Sequence, residues 1–120
     1  MHRAYQLHIV VPEPLSVRVG ALGLCDFPAG RYVYTGSARR NLAARIGRHL
    51  TAEKPARWHI DYLLGARGVA IEAVTSFARP ECLLNGVTGG HILVPRFGAG
   101  DCRFGCGSHL KYVGALAGSR

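Results

Sequence analysis

Acidic residues are scarce in this chain: seven Asp and Glu stand against 15 Lys and Arg, a net charge of +8. Lysine is scarcer still, since only two of those 15 cations are Lys and the other 13 are Arg. So unbalanced a field attracts polyanions, nucleic acid above all, although a plain solubility charge would look the same. Forked guanidinium groups suit phosphate better than ammonium groups do, and a GC-rich genome would also favour arginine. Long apolar runs are missing as well. The start, MHRAYQLHIVVPEP, offers only the five residues Leu7 to Val11, broken by His8, before prolines interrupt it. That is too short for a signal peptide or a membrane span, so no membrane partner is expected and the expected location is cytoplasmic. Low-complexity segments, linkers and internal repeats are absent too, which excludes a disordered chain or a repeat array. What is present is 48% hydrophobic and 18% charged residues over 120 positions. The composition is globular, and residues 1–120 are read as one domain with room for a core.

The patterning predicts an α/β (α+β) fold, a small and mostly antiparallel sheet flanked by helices. Tyr5 to Val11 and Leu15 to Val19 alternate, and Arg31 to Thr35 follows a Pro28-Ala29-Gly30 turn, so three early strands are expected as a meander. Ser37 is the expected cap of a helix from Ala38 to about Leu50, with Leu42, Ile46 and Leu50 as its core side. A second helix is expected over Arg57 to Leu64, ending at Gly65, with Trp58, Tyr62 and Leu63 buried. Val69 to Phe77 reads as a strand, and Pro80 suits the first turn of a short helix through Glu81 to Asn85. Seven glycines between Gly86 and Gly107 predict irregular structure, with short strands at His91 to Val94 and Leu110 to Val113.

The segment YVYTGSARRNLAARIGRHL, residues 32–50, concentrates the candidate chemistry. On a helical wheel Asn41, Arg45 and Arg48 form a polar stripe beside His49, and Arg45 and His49 are one turn apart. Helical Cβ bonds lean toward the N-terminus, so both side chains tend toward Tyr34 and Gly36. Taken singly, Arg45 is an ordinary exposed arginine and His49 a histidine satisfied at the border of a core. Their occurrence together, behind Tyr34 and Gly36, is less ordinary.

Tyr34-Thr35-Gly36 followed by Leu42-x-x-Arg45-Ile46-x-x-His49 resembles the second half of the GIY-YIG nuclease motif, with Ala4-Tyr5-Gln6 as its degenerate first half. Trp58-His59-Ile60-Asp61-Tyr62-Leu63, Glu81-Cys82, Phe97-Gly98-x-x-Asp101-Cys102 and Ser108-His109-Leu110 are similar to a poorly characterised branch of that superfamily. The branch is found as stand-alone proteins and appended to some endonuclease-III-type DNA glycosylases. This resemblance spans nearly the whole chain, with 28 residues between Tyr5 and Tyr34, a wider spacing than typical members have. It implies an endonuclease acting on nucleic acid, most naturally DNA in repair or processing, with a possible repair-protein partner. It also implies a single Mg²⁺ or Mn²⁺ on Glu81 and catalytic roles for Tyr5, Tyr34, Arg45, His49 and Glu81. Arg39, Arg40 and Arg48 would bind the nucleic acid.

Each residue type suits that chemistry. A permanently charged, forked guanidinium matches the charge that builds on phosphate oxygens during hydrolysis. One carboxylate can hold a hard cation whose remaining positions go to water and phosphate. Tyrosine is a poor base, with about one phenol in a thousand ionised at pH 7, a deficit of roughly 4 kcal/mol. Either Arg45 and His49 lower the pKa of Tyr34, or Tyr34 only orients the water. Core tyrosines on a sheet face remain the plain alternative.

His59, Asp61 and Asp101 form a second tier. His59 and Asp61 lie two apart on a helix and face different ways, which favours structural roles. Glu72 lies in a strand pattern and is expected in solvent. With no secretion signal the four cysteines are expected as thiols. Cys102, Cys106 and His109, in a C-x₃-C-x₂-H spacing, could instead be zinc ligands, completed by Cys82, Cys25 or another histidine. Two further readings therefore stand beside the nuclease: a non-catalytic nucleic-acid-binding module of the same fold, and a zinc-stabilised interaction domain.

Overall fold

Tyr5, Leu7, Ile9 and Val11 alternate with Ala4, Gln6, His8 and Val10, and all eight fall in one strand. In the computed structural model, which describes residues 3–38, 41–51, 58–78, 81–98 and 105–115, that strand is the centre of the molecule. The chain runs β1 (Arg3–Val11), β2 (Leu15–Arg18), a 3-10 turn (Gly20–Leu22), β3 (Leu24–Phe27) and β4 (Gly30–Ala38). It continues with α1 (Leu42–Leu50), α2 (His59–Leu64), β5 (Ala70–Phe77), α3 (Glu81–Val87) and β6 (Leu110–Gly114). The main sheet has the order β5-β1-β4-β6, and every neighbouring pair is antiparallel. The expected α+β class with an antiparallel sheet is what the structure has. Among the described residues no helix is long and apolar enough to cross a membrane.

The expected meander is not the topology. Leu15–Arg18 pairs with β3, which the pattern reading did not find, and the two form a separate hairpin. β4 then returns beside β1, with Tyr5 opposite Gly36 and Leu7 opposite Tyr34. The hairpin fills the long interval between the two tyrosines, so a wide spacing in sequence leaves them on neighbouring strands. β3 is only four residues, Leu-Cys-Asp-Phe, with Leu24 exposed and Cys25 and Phe27 buried, too brief for alternation to stand out.

The two faces of the sheet carry different layers. Tyr5, Leu7, Ile9, Val11, Tyr32 and Tyr34 join Phe27, Ile60, Leu63, Phe97 and Leu110 in the main core. The alternate residues Gln6 and Thr35 meet α3, where Gln6 Nε2 donates to Thr35 Oγ1 at 3.2 Å and to Thr88 Oγ1 at 2.7 Å. Those bonds satisfy amide and hydroxyl groups that burial would otherwise leave unpaired.

Three boundaries differ from expectation for local reasons. Ser37 is not a cap, because β4 runs on to Ala38 and pairs Ser37 with Ala4. Asn41 caps α1 instead: it sits in the left-handed region at φ 49°, which asparagine tolerates, and its side chain accepts from Ala44 N at 3.1 Å. Leu50 is 58% exposed, whereas His49 is buried. At 100° per residue His49 lies about 20° from Leu42 on the wheel and Leu50 about 80° away, so the histidine takes the core position. His91 to Val94 gives only one bridge, His91 to Tyr112, rather than a strand. Pro95 has no N–H and Arg96 turns left-handed at φ 69°, which ends any extended run there.

Candidate functional site

Tyr5 and Gly36 face each other across β1 and β4, and the phenol of Tyr5 folds over the glycine. A Cβ on residue 36 would overlap the Tyr5 hydroxyl and ring, which is why a glycine follows Tyr34-Thr35. The ring's hydroxyl then reaches His49 Nε2 at 2.5 Å, joining the first strand to α1. Tyr34 also packs against the same imidazole, edge to face, with ring centroids 6.2 Å apart and planes at 67°. No hydrogen bond occupies the Tyr34 hydroxyl among the described residues.

Trp58 supports the cationic edge of this cluster. Its ring lies 4.6 Å from the Arg45 guanidinium carbon and 4.3 Å from that of Arg48, and its centroid is 5.7 Å from that of His49. Cations stacked on an indole are held in direction without being neutralised. Sequence reasoning placed Trp58 only among core residues; its role as a platform depends on contacts between α1 and the start of α2.

Burial drives both phenols upward in pKa. For Tyr5 the charge of Arg45 and a hydrogen bond to it pull the other way, while Glu81 and Asp61 add to the rise. For Tyr34 burial comes first, then Tyr5 and Glu81, with Arg45 again opposing. Of the two alternatives for Tyr34, a lowered pKa is therefore not found, which leaves the one in which it orients water. Both are neutral phenols near pH 7, able to orient water and pass a proton rather than act as phenolate. Glu81, from the first turn of α3, is near enough for its charge to act on both. Tyr5, Tyr34, Arg45, His49 and Glu81 are thus one electrostatic neighbourhood drawn from four elements.

The other named residues separate. Arg48 Nη1 donates to Asp61 Oδ1 at 2.9 Å, and Asp61 Oδ2 accepts from Trp58 N at 2.9 Å. Arg48 thereby links α1 to Asp61 of α2. His59 Nδ1 accepts from Gly98 N at 2.8 Å, and burial lowers its pKa. Glu72 is exposed beside Arg31 at 3.5 Å. Arg39, Arg40, Asp101 and Cys102 lie outside the described residues.

On the α3 side a second cluster forms. Cys82 Sγ, Cys106 Sγ and His109 Nε2 or Nδ1 come within 4.8 Å of one another. His109 Nδ1 bonds Glu81 Oε2 at 2.5 Å, and its Nε2 is 3.8 Å from Cys82 Sγ. The backbone around it is pinned: His109 N donates to Phe97 O at 2.8 Å and Thr35 N donates to His109 O at 2.9 Å. Asn85 Nδ2 fixes the preceding carbonyl, Ser108 O, at 2.8 Å. Of the expected zinc set, Cys106 and His109 are brought together with Cys82, while Cys25 is buried in the main core.

None of the curated proteins and none of the solved structures matches this chain. The model of one family, a domain of unknown function designated DUF123, matches residues 4–118, and the chain belongs to that family.

Proposed function

We propose that the protein is a GIY-YIG-type endonuclease that hydrolyses nucleic-acid phosphodiester bonds, with DNA undergoing repair or processing as its substrate in the cytoplasm. The observation that carries this reading is the 2.5 Å bond from Tyr5 to His49, which joins the two halves of the motif across 44 residues of sequence. Around that bond stand Tyr34, Arg45 and Glu81, the residue types that the hydrolysis needs.

In this reading Tyr34 orients the attacking water through its hydroxyl. Tyr5, whose hydroxyl is bonded to His49 Nε2, would take the released proton while passing its own to that nitrogen, so the phenol does not have to ionise alone. Arg45, directed by Trp58, meets the phosphate oxygens where charge develops. Glu81 fits a hard cation: it is a carboxylate only partly exposed, with Oε2 on His109 and its second oxygen remaining as a ligand atom. One carboxylate with water and phosphate is a sufficient set for Mg²⁺ or Mn²⁺. A divalent ion held there would neutralise charge on the phosphate and the leaving oxygen.

The test is a panel of labelled single-stranded, duplex, flap and RNA substrates incubated with Mg²⁺, Mn²⁺ or EDTA. Cleavage of at least one substrate, abolished by EDTA, is expected. Binding should weaken with salt at a log-log slope of about −0.7 per phosphate on single strands or −0.9 on duplex. Salt-sensitive binding without cleavage would replace the nuclease by a binding module of the same fold. The Cys82, Cys106 and His109 cluster favours one other reading, a zinc-stabilised interaction domain, which binds no nucleic acid and cleaves none.

A further inference from the structure

We propose that Cys82 Sγ, Cys106 Sγ and His109 Nε2 form a zinc site, in which Glu81 is the carboxylate that sets the orientation and tautomer of His109. The site is separate from the hard-cation position proposed for the second oxygen of Glu81, and it does not depend on the nuclease reading.

Three features of the geometry support it. First, spacing: a tetrahedral zinc with Zn–S near 2.3 Å and Zn–N near 2.0–2.1 Å holds its donor atoms about 3.5–3.8 Å apart. Cys82 Sγ and His109 Nε2 are already 3.8 Å apart, and no pair in the cluster exceeds 4.8 Å, so about 1 Å of contraction closes the set. Rotation about cysteine χ1 supplies that without moving backbone.

Second, the histidine is prepared. Its Nδ1 bonds Glu81 Oε2 at 2.5 Å. With the proton on Nδ1, the lone pair of Nε2 points to the sulfur side. A carboxylate behind a ligating imidazole is a common outer-shell arrangement at zinc, because it fixes the ring and raises its basicity. A histidine kept only to bond a carboxylate has no need of a sulfur 3.8 Å from its far nitrogen, with a second thiol in the same cluster.

Third, the ligands come from rigid places. Cys82 and Glu81 are consecutive on the first turn of α3, and His109 is held by Phe97 O and Thr35 N just before β6. Cys106 is partly buried and its thiol lies 4.0 Å from Cys82 O. Preorganised donors bind metal without first ordering the chain. Two thiolates and one imidazole are a soft set that selects zinc over Mg²⁺ or Ca²⁺. Formation exchanges two thiol protons for one Zn²⁺ and leaves the fourth tetrahedral position to water, so a neutral ZnS₂N(OH₂) set would result and about two protons would be released per ion near pH 7.

The experiment uses the full chain and no nucleic acid. Elemental analysis of the purified protein should give roughly one zinc per chain, and chelation should lower the melting temperature, because metal-binding energy is folding energy. Cobalt(II) added to stripped protein should give thiolate charge-transfer absorption and the visible bands of a tetrahedral ion. Cys82→Ser and Cys106→Ser should each lose the bound zinc and the charge-transfer intensity of one sulfur. Glu81→Gln should keep the ion with affinity reduced by about 10- to 100-fold, as expected for a positioning residue. Thiols that only pack would show no metal, no cobalt bands and one melting temperature with or without chelator, which would overturn the proposal. Zinc retained undiminished in both serine variants would overturn it as well. If zinc binds as described but no substrate is cut, the nuclease reading fails and the metal site stands.

Discussion

His49 and His109 are both buried, at 2% exposure each, and both end in a 2.5 Å hydrogen bond, yet the groups they meet differ. His49 meets a neutral phenol through Nε2, among the rings of Tyr5, Tyr34 and Trp58. His109 meets a carboxylate through Nδ1 and turns Nε2 toward sulfur. The same imidazole thus suits proton transfer on one side and metal ligation on the other. The difference lies in which nitrogen the neighbouring acid occupies. Glu81 belongs to both neighbourhoods, bonded to one histidine and acting by charge on the tyrosines beside the other.

The sharpest way to separate the two regions is to damage one alone. Arg45→Ala should cut the single-turnover cleavage rate by about 10²-fold or more, with substrate affinity changed much less and zinc content untouched. Arg31→Ala, which removes an exposed ion pair with Glu72, is the control and should leave the bound-state rate intact. Equal losses in both variants would mean that Arg45 acts as surface charge only.

Next in size is the brace beneath the His49 side. Asp61→Ala removes the acceptor that Arg48 Nη1 and Trp58 N share, and since the Arg48 side chain is 26% exposed, water recovers part of the loss. A destabilisation of about 2–3 kcal/mol in denaturant unfolding is expected. An unchanged midpoint would show that the pair contributes nothing to the docking of α1 on α2. The same bond disqualifies Arg48→Ala as a neutral comparison for Arg45, although the helical stripe suggests it.

Glycines offer a matched pair. Gly36→Ala pushes its methyl into the Tyr5 phenol and should lower stability by about 1–3 kcal/mol while displacing the hydroxyl from His49. Gly86→Ala, in α3 with open space at its Cβ position, should be neutral or stabilising by up to about 1 kcal/mol. Thermal melts of the two variants check the contrast, and a tolerated Gly36→Ala would mean that Tyr5 is not pinned.

The smallest effect concerns pH. Burial holds the folded-state pKa of His59 below its ordinary value of 6.5, and Nδ1 accepts from Gly98 N. The unfolded chain therefore takes up the proton first as pH falls. The stability contributed by neutral His59 is complete above pH 6.5 and is lost as pH falls through the folded-state pKa. His59→Gln should flatten the fall in stability below pH 6.5. An unaltered profile would show that another group sets it.

Much of the His49 side was legible in the sequence. Arg45 and His49 one turn apart, with Tyr34 and Gly36 just before, are local spacings that helix and strand geometry convert directly into neighbours. The class of fold followed from alternation in β1 and β2 and from the strand pattern of Val69 to Phe77. The β2-β3 hairpin did not: β2 shows in the alternation of Leu15 to Val19, but β3, Leu24–Phe27, was missed, and without it the strand order came out as a meander. The bond from Glu81 to His109 spans 28 residues with no spacing rule to announce it. Cys82 was named only as one of several candidate ligands for the same reason. The pairing of Arg48 with Asp61 was not legible because a helical wheel shows one helix, whereas the acceptor comes from the next.

One measurement bears most directly on the nuclease reading: single-turnover cleavage at saturating enzyme in Mg²⁺, comparing the parent with Glu81→Gln at matched zinc content. Glu81→Gln keeps the shape of the side chain and removes its charge, so the rate should fall by about 10²-fold or more while the variant binds nucleic acid at least as tightly. If Glu81→Gln cuts at the parent rate, the carboxylate holds no catalytic cation, and the chain shares the GIY-YIG motif without that chemistry.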